Sequence, residues 1–154
     1  MEGSSLARLI EKGGVYVGIE GTDPEEIFAD LAKKLVLPDT FDRDLVVKEL
    51  MDRENVLSTA VGSGLAVPHP KRPVVKSRED ERIIVCYLNR KISMSAPDGR
   101  PVSVFFILLS SSQVSHLKSL SLLAKLFRDE SFKKIIETKP LKAQLVAFLD
   151  RLSL

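Results

Sequence analysis

The segments Arg82 to Leu88 and Val102 to Leu109 constrain this chain more than any other feature. A strand with one wet face alternates apolar and polar residues. These two segments instead carry aliphatic, aromatic and β-branched side chains at consecutive positions, as strands covered on both faces do. Between them, Ala96-Pro97-Asp98-Gly99-Arg100-Pro101 reads as a turn, because Pro97 fixes its own φ and Gly99 tolerates the positive φ that side chains resist. Central strands of this kind need helices on both sides, and the remaining sequence supplies them.

After a short first element, Val15 to Ile19 is apolar, bracketed by glycines, and predicts a strand. Asp23-Pro24-Glu25-Glu26 then opens a helix: Asp23 caps, Pro24 suits the first turn and Glu26 can reach back. Ile27, Leu31 and Leu35 give it a buried stripe, and Pro38 ends the pattern. A second helix from about Asp42 to Arg53 is expected to bury Leu45, Val46 and Leu50. Ser111 or Ser112 caps a later helix with the stripe Leu117, Leu120, Leu123 and Phe127. A short helix follows around Ser131 to Glu137, and a last one from Pro140 buries Leu141, Leu145, Phe148 and Leu152. Strands interleaved with amphipathic helices predict an α/β sandwich with a mixed, mostly parallel central sheet. There is no internal repeat, linker or low-complexity tract, so residues 1–154 read as a single domain, of a length that buries a core without metals or disulfides.

Charge narrows the function. Lys and Arg nearly balance Asp and Glu, leaving a formal +2, without the basic excess of a protein that lives on nucleic acid. No apolar run reaches membrane-spanning length, and the opening segment lacks the pattern of a signal peptide. The one cysteine, Cys86, lies in a predicted core strand as a small hydrophobe, and the expected compartment is a reducing cytoplasm. The two histidines, His69 and His116, belong to no metal-ligand spacing, so neither a metal nor a cofactor is expected.

His69 stands out by its surroundings. In Thr59-Ala60-Val61-Gly62-Ser63-Gly64-Leu65-Ala66-Val67-Pro68-His69-Pro70, small residues and glycines precede a histidine pinned between prolines. Such a segment lets backbone N–H groups approach an anion while the imidazole is held at a loop. The residues alone leave two readings open, an ordinary turn histidine and a reactive one. Arg53 fits a solvated helix end, His116 the edge of a leucine stripe, and Ser58 and Thr59 either turn formation or phosphate contacts. The run Lys71, Arg72, Lys76, Arg78 fits a solvated loop or a partner-docking loop.

The stretch from Glu54 through Ser58-Thr59, Gly62-Ser63-Gly64 and Ala66-Val67-Pro68-His69 resembles the signature of the type-2 IIA domains of the phosphotransferase system, the fructose, mannitol and nitrogen-related family. Asp98-Gly99-Arg100-Pro101-Val102 and His116-Leu117 match that family's later blocks in order, so the resemblance covers nearly the whole chain. It implies that His69 carries the phosphoryl group, that His116 and Arg53 are the second active-site histidine and the active-site arginine, and that Ser58, Thr59, Gly62 and Gly64 line the phosphate. It implies a phosphocarrier loaded by a phosphorylated HPr-like protein. That carrier serves either as a stand-alone nitrogen-related regulator of a target protein or as a sugar-transport component passing phosphate to a IIB partner. A non-transferring interaction module on the same fold is a further alternative. The stretch Gly13 to Gly21 resembles the stand-alone regulatory members. Two positions depart from the family pattern: Pro70 stands where glycine is usual, which removes a backbone donor, and Ser110-Ser111-Ser112-Gln113 lacks the usual proline.

Overall fold

The computed structural model describes residues 2–154. In chain order the elements are α1 (Glu2–Gly13), β1 (Val15–Ile19), α2 (Pro24–Lys34), α3 (Arg43–Glu54), β2 (Ala60–Gly62), β3 (Leu65–Ala66), a 3-10 turn (Arg78–Asp80), β4 (Arg82–Ile92), β5 (Val102–Leu109), α4 (Gln113–Arg128), α5 (Glu130–Glu137) and α6 (Lys142–Asp150). The strands form one sheet in the order β1-β4-β5-β3-β2.

The apolar runs of β4 and β5 are buried on both faces, and side-chain alternation divides the core in two. Ile84, Cys86 and Leu88 of β4, with Phe105 and Ile107 of β5, pack under Ile27, Phe28 and Leu31 of α2 and Val46 and Leu50 of α3. Ile83, Val85 and Tyr87, with Val104, Phe106 and Leu108, face Leu6 and Ile10 of α1, Leu123 and Leu126 of α4, Phe132 of α5 and Leu145 of α6. The result is the expected sandwich, with helices on both faces of a mixed sheet. Burial pushes the Cys86 thiol well above its ordinary value, so it stays a neutral core residue. The Tyr87 hydroxyl donates to the Pro140 carbonyl at 2.6 Å.

The sheet is less parallel than expected. β1 runs parallel to β4 and β3 parallel to β5, but β4/β5 and β2/β3 are antiparallel. The reason is the short connection from Ser93 to Pro101: a parallel pair needs a crossover, and this segment closes a hairpin. Within it, the Ala96 carbonyl accepts from the Gly99 N–H at 3.0 Å, and Gly99 sits at φ +72°. β2 and β3 are a short edge hairpin in a stretch to which the sequence assigned no strand. Its turn has three successive residues at positive φ, Gly62 at +101°, Ser63 at +56° and Gly64 at +78°, which is what the two glycines permit.

Most helix signals hold. Asp23 caps α2 by accepting from the Glu26 N–H at 2.9 Å, and Glu26 reaches back to both the N–H and the hydroxyl of Thr22. Ser112, not Ser111, caps α4. Three leucines expected in the core are instead open: Leu45, Leu117 and Leu141 are 42%, 57% and 60% exposed. The buried positions of α3 are Val46, Glu49 and Leu50, and those of α4 are Leu122, Leu123 and Leu126. In both helices the core stripe is rotated from the expected one, which leaves the apolar residues of the first turns of α4 on its outer side. Among the described residues no helix is long and apolar enough to cross a membrane.

Candidate functional site

The site forms where β3, β5, the end of α3 and the start of α4 meet. After β3 the chain continues beside β5, with the Pro68 carbonyl accepting from the Leu108 N–H at 2.9 Å, and delivers His69 just past the pairing. The Val67 carbonyl lies 2.9 Å from His69 Nδ1. A carbonyl only accepts, so Nδ1 carries the proton in the neutral ring and Nε2 is left with its lone pair.

His116 arrives from the other side. The Glu81 carboxylate accepts from both the N–H and the hydroxyl of Ser111, at 2.7 and 2.8 Å, which fixes the segment between β5 and α4. Ser112 then accepts from the Ser115 N–H at 3.2 Å, and the His116 N–H donates to the Ser112 carbonyl at 3.0 Å. This first turn of α4 sets the His116 ring 4.6 Å from the His69 ring, centroid to centroid, with an interplanar angle of 52°. A serine cap, Ser112, thus starts the helix.

Arg53 reaches the site from the last turn of α3. It donates through Nη1 to the Leu57 carbonyl at 2.6 Å, and it lines both cavities that meet at His69. Burial first, and then the positive guanidinium of Arg53, hold His69 below its ordinary value, against the opposing effect of the Val67 carbonyl. His116 is pushed down to about 4, again first by burial and then by the neighbouring His69 and Arg53. Both rings are therefore neutral at physiological pH, and Nε2 of His69 is an available nucleophile.

The other predicted residues divide. Ser58 and Gly62 line the larger cavity, of about 560 Å³, together with Arg53 and His69. The Ser58 hydroxyl oxygen accepts from the Ala60 N–H at 3.1 Å, which leaves its proton to donate. Thr59 also borders this cavity, but it is committed: its N–H and hydroxyl both donate to the Glu54 carboxylate at 2.8 Å. Gly64 lines neither cavity. Its carbonyl accepts from Ser103 and Val104 N–H at 2.8 and 3.1 Å, so it belongs to the hairpin turn. Of the basic run, Lys71 and Arg72 line the smaller cavity beside His69 and His116, whereas Arg78 lies in a separate depression with Lys12 and Glu81.

Sequence reasoning missed Glu49, whose side chain is almost fully buried. Its backbone carbonyl accepts from the Lys71 N–H at 3.0 Å, and its carboxylate from the Arg72 N–H at 3.2 Å, with the Arg72 guanidinium Nε at 3.7 Å. It anchors the segment after His69 to α3, where Pro70 has no N–H to offer. The signal was present: Glu49 lies on the apolar stripe of its helix, three residues after Val46 and directly before Leu50. Arg128 and Lys133, which border the larger cavity, carry no such mark.

A nucleophilic imidazole, a second imidazole and a guanidinium around an open cavity form an arrangement for taking up a phosphoryl group. The comparisons with known proteins agree with that class. The model of the family described as phosphoenolpyruvate-dependent sugar phosphotransferase system, EIIA 2, matches residues 8–151. A nitrogen regulatory protein of Bradyrhizobium diazoefficiens is 30% identical over 133 residues, covering 84% of this chain and 84% of that protein. The crystal structure of nitrogen regulatory protein IIA-Ntr from Neisseria meningitidis superposes with a TM-score of 0.70 at 28% identity, covering 90% of this chain and 93% of that one. The complex of enzyme IIAMTL and phosphorylated enzyme IIBMTL from Escherichia coli contains the same fold, with a TM-score of 0.62 at 18% identity over 88% of this chain and 94% of that one. The chain belongs to the EIIA 2 family of the phosphoenolpyruvate-dependent sugar phosphotransferase system, and its function is that of a phosphocarrier of that system.

Proposed function

We propose that His69 accepts the phosphoryl group through Nε2 from the phosphohistidine of an HPr-like protein in the cytoplasm, and that phosphorylation controls how this chain engages a regulatory target. One observation carries the reading: Nδ1 is occupied by the Val67 carbonyl, so the free lone pair belongs to the nitrogen that shares the site with His116 and Arg53. In the transfer, the Nε2 lone pair forms the new P–N bond while the donor's P–N bond breaks, its electron pair returning to the donor imidazole. Arg53 supplies a fixed positive charge to the equatorial oxygens. Ser58 donates a hydrogen bond to the same oxygens, and His116 pairs with the arriving group. Thr59, Gly62 and Gly64 act at one remove, by shaping the strand and turn that hold the phosphate side of the cavity. The likeness to nitrogen regulatory proteins supports regulation over sugar transport.

The test is incubation with phosphoenolpyruvate, enzyme I and the HPr-like protein, followed by intact mass at neutral to alkaline pH, with His69→Ala alongside. Wild type is expected to gain one phosphoryl group and the variant none. Equal gain by both places the acceptor elsewhere.

A further inference from the structure

Away from His69, two helices carry the same spacing of residues along one face. Ser5, Arg8, Leu9 and Lys12 of α1, and Ser115, Lys118, Ser119 and Leu122 of α4, each follow the i, i+3, i+4, i+7 pattern of a single helical stripe. Both stripes line one depression of about 350 Å³, to which the 3-10 turn and the residue after it add Arg78, Glu79 and Glu81. That volume suits a small ligand.

Four cations, Arg8, Lys12, Arg78 and Lys118, thus meet from three separate elements. Among the described residues none of the four pairs with a carboxylate, whereas Lys34, Lys48, Lys133 and Lys142 elsewhere on the surface each do. Lys12 Nζ donates to the Glu79 carbonyl at 2.6 Å, which ties the turn to the end of α1. Of the two carboxylates, Glu81 is spent on the N–H and hydroxyl of Ser111, which leaves Glu79 on the exposed turn. The lining holds two more cations than carboxylates, the charge that complements one phosphate monoester at neutral pH. The hydroxyls of Ser5, Ser115 and Ser119 and the Glu79 carboxylate are the donors and acceptors that a polyol needs. No aromatic side chain lines the groove, so it offers a nucleobase no stacking platform. Its two leucines are partly or fully buried, so nothing apolar projects to enter a lipid surface.

We propose that this groove binds a small phosphorylated polyol, of the size of a sugar phosphate, with the cations on the phosphate and the serine hydroxyls and Glu79 on the polyol. The site is distinct from the phosphoryl acceptor: Ser115 lines this groove, while its neighbour His116 lines the cavity of His69. The proposal therefore stands apart from the identity of the acceptor.

The test is titration of glucose 6-phosphate, fructose 6-phosphate and glycerol 3-phosphate, each alone, into the ¹⁵N-labelled chain at low ionic strength, with inorganic phosphate and glucose as comparisons. At least one of the three is expected to shift the amides of Arg8, Lys12, Lys118 and Ser119, and to bind about tenfold or more tightly than inorganic phosphate. Glucose is expected to shift none of them. Combining Arg8→Glu with Lys118→Glu, both at exposed positions, is expected to weaken binding about tenfold or more, and Arg78→Glu, on a different element, to weaken it as well. Arg90→Glu, which alters a separate depression beside Glu20 and Glu26, leaves affinity unchanged. The amide spectrum of each variant reads its fold directly. Absence of shifts with all three phosphates, shifts confined to the residues around His69, inorganic phosphate bound as tightly as the best of the three, or unchanged affinity in the folded charge-reversed variants each overturns the proposal. Capture of the chain by phosphatidylglycerol vesicles, in place of the small phosphates, overturns it too and assigns the groove to a membrane surface.

Discussion

Acidification should weaken the fold through His116. Its folded-state value of about 4 lies below the ordinary value of about 6.5 that the unfolded chain shows. The unfolded state therefore binds the extra proton first as pH falls. The stabilisation is complete above about pH 6.5 and is lost progressively toward about pH 4. Between pH 7.5 and pH 5 the full shift corresponds to about 2 kcal/mol. The ring is only half-buried, so solvent screening reduces this to about 1 kcal/mol. His69, also held below its ordinary value, adds a contribution of the same sign. Urea unfolding at half-unit steps of pH, on wild type and His116→Gln, checks the reasoning, because the variant should show a flatter dependence across that window. An identical slope in the two proteins, or a His116 ring titrating near 6.5 by NMR, would refute it.

Four further outcomes rest on the same geometry. Arg53→Ala should slow uptake of the phosphoryl group about 10²- to 10³-fold in a single-turnover assay, with Arg53→Lys only partly restoring it, because a point charge replaces a planar fork. Leu123→Ala, in the core at 1% exposure, should lower unfolding free energy by about 2–4 kcal/mol. Leu117→Ala should change it by less than about 0.5 kcal/mol in the same denaturation experiment. Gly64→Ala places a Cβ 3.2 Å from the Ser103 hydroxyl at φ +78° and should cost about 1–2 kcal/mol of stability.

What the sequence made legible was local. The runs that became β4 and β5 announced two-sided burial, and the Asp23-Pro24-Glu26 start of α2 was read correctly because capping depends on adjacent residues. The hairpin of β2 and β3 was hidden, since Ala60 to Ala66 carries small residues whose pairing is decided by β5 beside them. The orientation of β4 against β5 depended on how the Ser93–Pro101 segment closes, which no periodicity encodes. Leu117 misled because an apolar stripe reports that a face is covered or kept open for a partner, without saying which. Within the site, its own surroundings brought His69 to notice, the resemblance added His116 and Arg53, and the geometry brings the three together. It gives Thr59 and Gly64 structural duties that their types alone could not reveal. Glu49 was missed because an acidic residue on a helix is by default assigned to solvent.

The most direct test of the central claim is heteronuclear NMR on the phosphorylated, ¹⁵N-histidine-labelled chain. Substitution at Nε2 of His69, with Nδ1 still protonated and hydrogen-bonded to the Val67 carbonyl, is the predicted result. A phosphoryl group on Nδ1 of His69, or on His116, would contradict it.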